Sequence, residues 1–176
     1  LDFLAAGETI TFSYTVTATD SEDATATDQV AFTITGSNDA PTLSATSADD
    51  ITEGADASAQ ALSDSGTVSF ADIDTTDTVS ISFEANGDPV WSAANGDIVG
   101  VDGALEADLA AALVGAFNTG VNNAEAPGTT GWTYNLPSAD LDFLAAGETI
   151  TFSYTVTATD SEGETATDQV AFTING

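Results

Sequence analysis

The chain has 176 residues, 42% of them hydrophobic, with 29 Asp and Glu and no Lys, Arg, His, Cys or Met. A formal charge of −29 cannot neutralise phosphates, which excludes nucleic acid and anionic membrane surfaces as partners. The missing cysteine excludes disulfides and thiolate metal sites. The mutual repulsion of these carboxylates calls for cations from outside the chain, and bound divalent ions would supply them at fixed places.

Leu1–Gly36 and Leu141–Gly176 are two copies of one segment. They differ only at Asp23 against Gly163, Ala24 against Glu164, and Thr35 against Asn175. The offset is 140 residues, so the chain holds one complete period over 37–176, preceded by residues 1–36 as the C-terminal hairpin of an earlier copy. Leu1 opens directly into the repeated segment, so no leader peptide is expected within this sequence. The sequence therefore reads as a piece of a longer tandem array.

Inside the segment, Thr9–Thr19 alternates strictly. Ile10, Phe12, Tyr14, Val16 and Ala18 fall on one face and threonines with Ser13 on the other. A period of two over this length predicts a half-buried strand of roughly 36 Å. Val30, Phe32 and Ile34 repeat the pattern, so the pair predicts an antiparallel hairpin. "GSNDAPTL" at Gly36–Leu43 is a turn or linker. Further strands are predicted at Gly66–Phe70, Thr78–Phe83, Pro89–Ser92, Asp97–Val101 and Gly131–Leu136. Their number and spacing suit an all-β sandwich of the immunoglobulin type. Trp91 and Trp132 lie in such strands and are expected in its core, with a sugar platform as the alternative.

One stretch departs from the β pattern. Leu105, Leu109, Leu113 and Phe117 recur every fourth residue and predict a short amphipathic helix over about 105–117. Asp102 would cap its start and Asn118 or Gly120 its end. A second helical turn is predicted at Ala139–Ala145. No run of about 18 apolar residues exists, so no membrane span is expected.

Acidic clusters stand where the strands end. They are Asp20, Glu22 and Asp23 with the copy at Asp160, Glu162 and Glu164; Asn38 and Asp39 in the linker; Asp49, Asp50 and Glu53; and Asp72, Asp74 and Asp77. Carboxylate and amide oxygens are the ligands of a hard cation, and calcium accepts six to eight of them. Asp72 and Asp74 point the same way on an extended segment and could share one ion. The spacing is not that of an EF-hand, which needs glycine at its sixth position where this chain has Asp77. Any calcium site must be assembled from separate loops. Catalysis is not expected: without His, Lys, Cys or Arg only carboxylates, Tyr and Ser remain for acid–base work. "SDSG" at Ser63–Gly66 is a lone short match to an aspartic-protease motif.

"SNDAP" in the linker, "DSE" after a strand, "TEG" early in the repeat and "ADID" later resemble the calcium-ligating elements of cadherin domains. As a set with "GWTYNL" and "LAAGETITFSYTVTATDSEGETATDQVAFTI", they resemble the bacterial VCBS or cadherin-like repeats of giant RTX-type adhesins, over most of residues 36–176. The predicted helix and the loop at Gly120–Gly131 enlarge the repeat, and Ala40–Pro41 stand where cadherin has a final Asn. The resemblance implies an extracellular, cell-surface extender of an adhesin or biofilm fibre. It implies Ca²⁺ bound at junctions between adjacent identical repeats by Asp20, Glu22, Asn38, Asp39, Glu53, Asp72, Asp74, Asp77, Asp160 and Glu162. Because both ends carry the same strands, exchange of strands between molecules into dimers or fibres is the alternative, as is a carbohydrate- or ice-binding module on the same sandwich.

Overall fold

The computed structural model describes residues 1–99 and 105–176. Its strands are β1 (Thr9–Thr19), β2 (Thr25–Thr35), β3 (Thr42–Ala45), β4 (Ile51–Thr52), β5 (Gln60–Ala71), β6 (Thr78–Ala85), β7 (Val90–Ser92), β8 (Phe117–Thr119), β9 (Val121–Glu125), β10 (Gly128–Ala139), β11 (Thr149–Thr159) and β12 (Thr165–Asn175), with one helix α1 (Ala107–Gly115) between β7 and β8. Residues 37–176 form a β-sandwich of the immunoglobulin type, antiparallel except where β4 pairs with β12. One sheet has the order β3-β5-β10-β8; the other runs β4-β12-β11-β6-β9, with β7 also on β11. Among the described residues, β1 and β2 pair only with each other.

The alternation read from sequence decides which side chains enter the core. Ile150, Phe152, Tyr154, Val156 and Ala158 of β11 are buried, as are Val170, Phe172 and Ile174 of β12. They meet Leu62, Val68 and Phe70 of β5 and Trp132, Tyr134 and Leu136 of β10. Trp132 is fully buried, and its indole N–H donates to Thr46 O at 3.0 Å. A Cβ on Gly66 would collide with that ring, so the close crossing of β5 and β10 requires glycine there. Burying Trp132 takes it out of reach of any sugar.

The helix is shorter than its periodicity predicts. Phe117 already belongs to β8, where it stacks 4.2 Å from Tyr154. Tyr154 Oη donates to Leu113 O and Val114 O at 3.1 and 3.0 Å, which ties the last helical turn to the sheet. That claim on the chain ends the helix before Asn118. Asp102, the expected cap, lies outside the described residues; Glu106 precedes the helix without a side-chain cap bond. Ala139–Ala145 is a pair of turns rather than a helix: Leu144 N donates to Leu141 O at 2.8 Å, but Ala139 is still in β10. The strand predicted at Asp97–Val101 extends beyond the described residues; in its described part Ile98 bridges Ser92.

Candidate metal centre

The linker after β2, the loop between β5 and β6 and the turn between β11 and β12 meet at one end of the sandwich. β5 ends at Ala71 and β6 begins at Thr78, so "DIDTTD" must reverse the chain within six residues. It does so around its own acids. Asp74 N donates to Asp72 Oδ1 at 3.0 Å, and Asp77 N donates to Asp74 O at 3.1 Å. Such side-chain-to-backbone turns are what Asp favours.

Asp160 organises the second turn. Its Oδ1 accepts from the backbone N–H groups of Glu162, Gly163 and Glu164 at 2.9, 2.6 and 2.9 Å. Gly163 takes φ 97° there, a conformation glycine adopts without strain. The linker then closes the end. Asn38 Nδ2 donates to Asp160 Oδ2 at 2.9 Å, and Asp39 N donates to Asp74 Oδ2 at 2.8 Å.

Carboxylate oxygens of Asp72, Asp77 and Asp160 lie within 4.8 Å of one another. Asp74, Asp77 and Asp160 are only 1%, 6% and 6% exposed. Asp72 Oδ2, Asp74 Oδ1, Asp77 Oδ2 and Asn38 Oδ1 are buried without any hydrogen-bond partner. A buried carboxylate oxygen without a donor is costly, and several like charges together are more so. Burial raises the Asp72 carboxyl above its ordinary value; the charges of Asp77, Asp74 and Asp160 push the same way against the Asp74 N–H. Burial also raises Asp77, helped by Asp74, Asp160 and Glu8 and opposed by a hydrogen bond from Ser161. This oxygen-only donor set fits a hard divalent cation.

Other sequence candidates lie elsewhere. Asp20 and Glu22 sit exposed at the tip of the β1–β2 hairpin, where Asp20 Oδ1 accepts from Glu22 N and Ala24 N, each at 2.9 Å. They do not meet Asn38; Asp160, the copy of Asp20, does. Glu162 is exposed beside the cluster, and the Asp39 side chain is exposed while its backbone holds Asp74. Glu53 N donates to Asn175 O. That places Glu53 at the opposite end of the sandwich from Asp160, a full strand away. Sequence reasoning missed Glu8 and Ser161. Ser161 is readable once Asp160 is chosen, as the middle residue of "DSE"; Glu8 lies in the preceding copy and comes near only through the linker.

No protein-family model and no curated protein sequence matches the chain. Among solved structures it is similar to the ASH/PapD-like domain 7 of human CEP192 at 12% identity, covering 76% of this chain and 84% of that one with a TM-score of 0.44. It is also similar to the CooA pilin subunit of enterotoxigenic Escherichia coli, at 14% identity, 78% and 98% coverage and a TM-score of 0.37. A third is AggA, the major subunit of aggregative adherence fimbriae type I from Escherichia coli, at 12% identity, 77% and 94% coverage and a TM-score of 0.35.

Proposed function

We propose that the chain is a calcium-stabilised extender repeat of a long extracellular bacterial adhesin or surface fibre, of the VCBS or cadherin-like type. One ion sits at the junction where each repeat receives the linker from the one before. A single observation carries this reading: buried carboxylate oxygens of Asp72, Asp74 and Asp77 without donors, gathered with Asp160 at the end where the linker enters. Asp72, Asp77 and Asp160 would hold the ion, with Asn38 and Asp74 beside them and Glu8 arriving from the preceding repeat. The ion supplies the positive charge that no side chain of this sequence can. Because it locks linker to sandwich, it stiffens the array, and it favours the folded form wherever calcium exceeds its dissociation constant.

Calorimetric titration of metal-free protein with calcium tests this. A saturable calcium heat that Asp77→Asn removes is the expected result; no heat from the unmutated chain overturns the reading.

A second reading is favoured by the bare face of the β1–β2 hairpin. Phe12, Tyr14, Val16, Val30 and Phe32 are all exposed there. Their copies in β11 and β12 fill the sandwich, so hairpins of two molecules can compete for one slot and link chains by strand exchange. Light scattering on the chain lacking residues 1–36 decides: exchange requires the loss of dimers or fibres, and an unchanged oligomeric state rules it out.

A further inference from the structure

The two ends of the sandwich carry unmatched apolar groups. At the end with the acidic cluster, Ile73 projects from the β5–β6 loop and is 51% exposed, although Asp74 beside it is buried. At the opposite end, Trp91, Leu105, Leu109 and Phe143 line an open cleft of about 300 Å³ with Glu106 at its edge. Phe143 lies edge-on against Trp91 at 4.9 Å and remains 39% exposed.

The tail formed by residues 1–36 relates these two ends. Its base is built as the C-terminal end of the sandwich is built. Gly36 N donates to Glu8 O at 2.9 Å, as Gly176 N does to Glu148 O at 2.9 Å. Leu4 N donates to Leu1 O, as Leu144 N does to Leu141 O. A Cβ on Gly36 or on Gly176 would meet the same carbonyls, those of Leu4 and Ala5 or of Leu144 and Ala145. The tail is thus the end of a repeat, seen docked on the start of the next. In that docked position Thr75 donates to Phe3 O through both its N–H and its hydroxyl, each at 3.3 Å. Phe3 is the copy of Phe143, which walls the cleft, and Thr75 is two residues from Ile73.

We propose that the cleft between α1 and Phe143 is the seat for Ile73 of the following repeat. This rests on the tandem-array reading above and names the surface by which two repeats touch beyond the ion. In the array, Ile73 and Phe3, both exposed here, would face the cleft of the preceding repeat. The occupant is a second copy of the sequence 37–176. An aliphatic side chain entering a cleft walled by Trp91 and Phe143 also fixes the rotation of one repeat about the next, which an ion alone leaves freer.

The absence of cysteine makes the test clean. The chain is extended by a second copy of residues 37–176 after Gly176. Leu109→Cys in the first copy is combined with Ile73→Cys in the added copy and treated with a short bismaleimide in calcium. The control exchanges the two positions, so that the cysteines lie on surfaces that do not share a junction. The forward pair should cross-link about tenfold or more faster than the control, as expected for groups held at a high effective concentration. Equal rates, with the melting temperature of the same tandem still raised by calcium, overturn the seat and leave the array reading standing. Equal rates with no response to calcium overturn both.

Discussion

Phe32 and Phe172 occupy the same place in two copies of one strand, yet Phe32 is 45% exposed and Phe172 is 1% exposed. The hairpins that hold them share strand length, register and inward-facing residues and differ at three positions, two of them in the tip turn. β1 pairs with β2 from Thr9↔Thr35 to Thr19↔Thr25, and β11 pairs with β12 from Thr149↔Asn175 to Thr159↔Thr165. Phe12 stacks on Phe32 at 5.2 Å, and Phe152 on Phe172 at 5.1 Å. Local sequence therefore suffices for strand, register and aromatic ladder. Burial comes from elsewhere: Trp132, Tyr134 and Phe117 cover the second hairpin, and nothing covers the first among the described residues. The same contrast runs through the acids. Asp160 is drawn into the cluster by Asn38, while Asp20 keeps only its own turn.

Paired substitutions at the copies sharpen this contrast. The largest difference is expected between Phe172→Ala and Phe32→Ala. The first empties a packed site and should lower unfolding free energy by about 3–5 kcal/mol. The second removes an exposed ring and should change it by under about 0.5 kcal/mol. Urea denaturation of both variants reads the difference, and similar losses would mean that the first hairpin is covered in solution.

Next in size is Asp160→Asn against Asp20→Asn. The first should abolish most of the rise in melting temperature produced by calcium. The second should leave it whole, since Asp20 lies at the hairpin tip. Equal losses in the two variants would place the ion elsewhere.

The smallest effect is on pH dependence. Asp72 and Asp77 have folded-state values raised above the ordinary 3.8, so the folded protein holds protons that the unfolded chain has already released. Their contribution to the stability of the metal-free protein is whole below 3.8 and is lost as pH rises through those raised values. Asp77→Asn should flatten this slope in chemical denaturation at stepped pH. In calcium the slope should reverse, because the ion needs the same carboxylates ionised.

The strict alternation at Thr9–Thr19 made the long strands legible, and the 140-residue offset made the repeat legible. The acids at strand ends pointed to the clustered loops. The limits of β8 and α1 were hidden because the helical spacing of Leu113 and Phe117 is also satisfied by a helix that stops at Gly115 and hands Phe117 to a strand. β4 and β8 are too short to carry a period. Asp20 and Asp160 both open a "DSE" in sequence; the linker Asn38 and the neighbouring Asp72 and Asp77, which reach only Asp160, separate them. Glu53 looked equivalent to the clustered acids, but the parallel pairing of Ile51 with Ile174 carries it to the far end.

On the proposed function, a bound cation completes the end of the sandwich that receives the linker. Thermal melting of the unmutated chain, metal-free and then in millimolar calcium, tests it most directly. The melting temperature should rise by many degrees with calcium and return with excess chelator; equal melting temperatures in the two conditions would contradict the account.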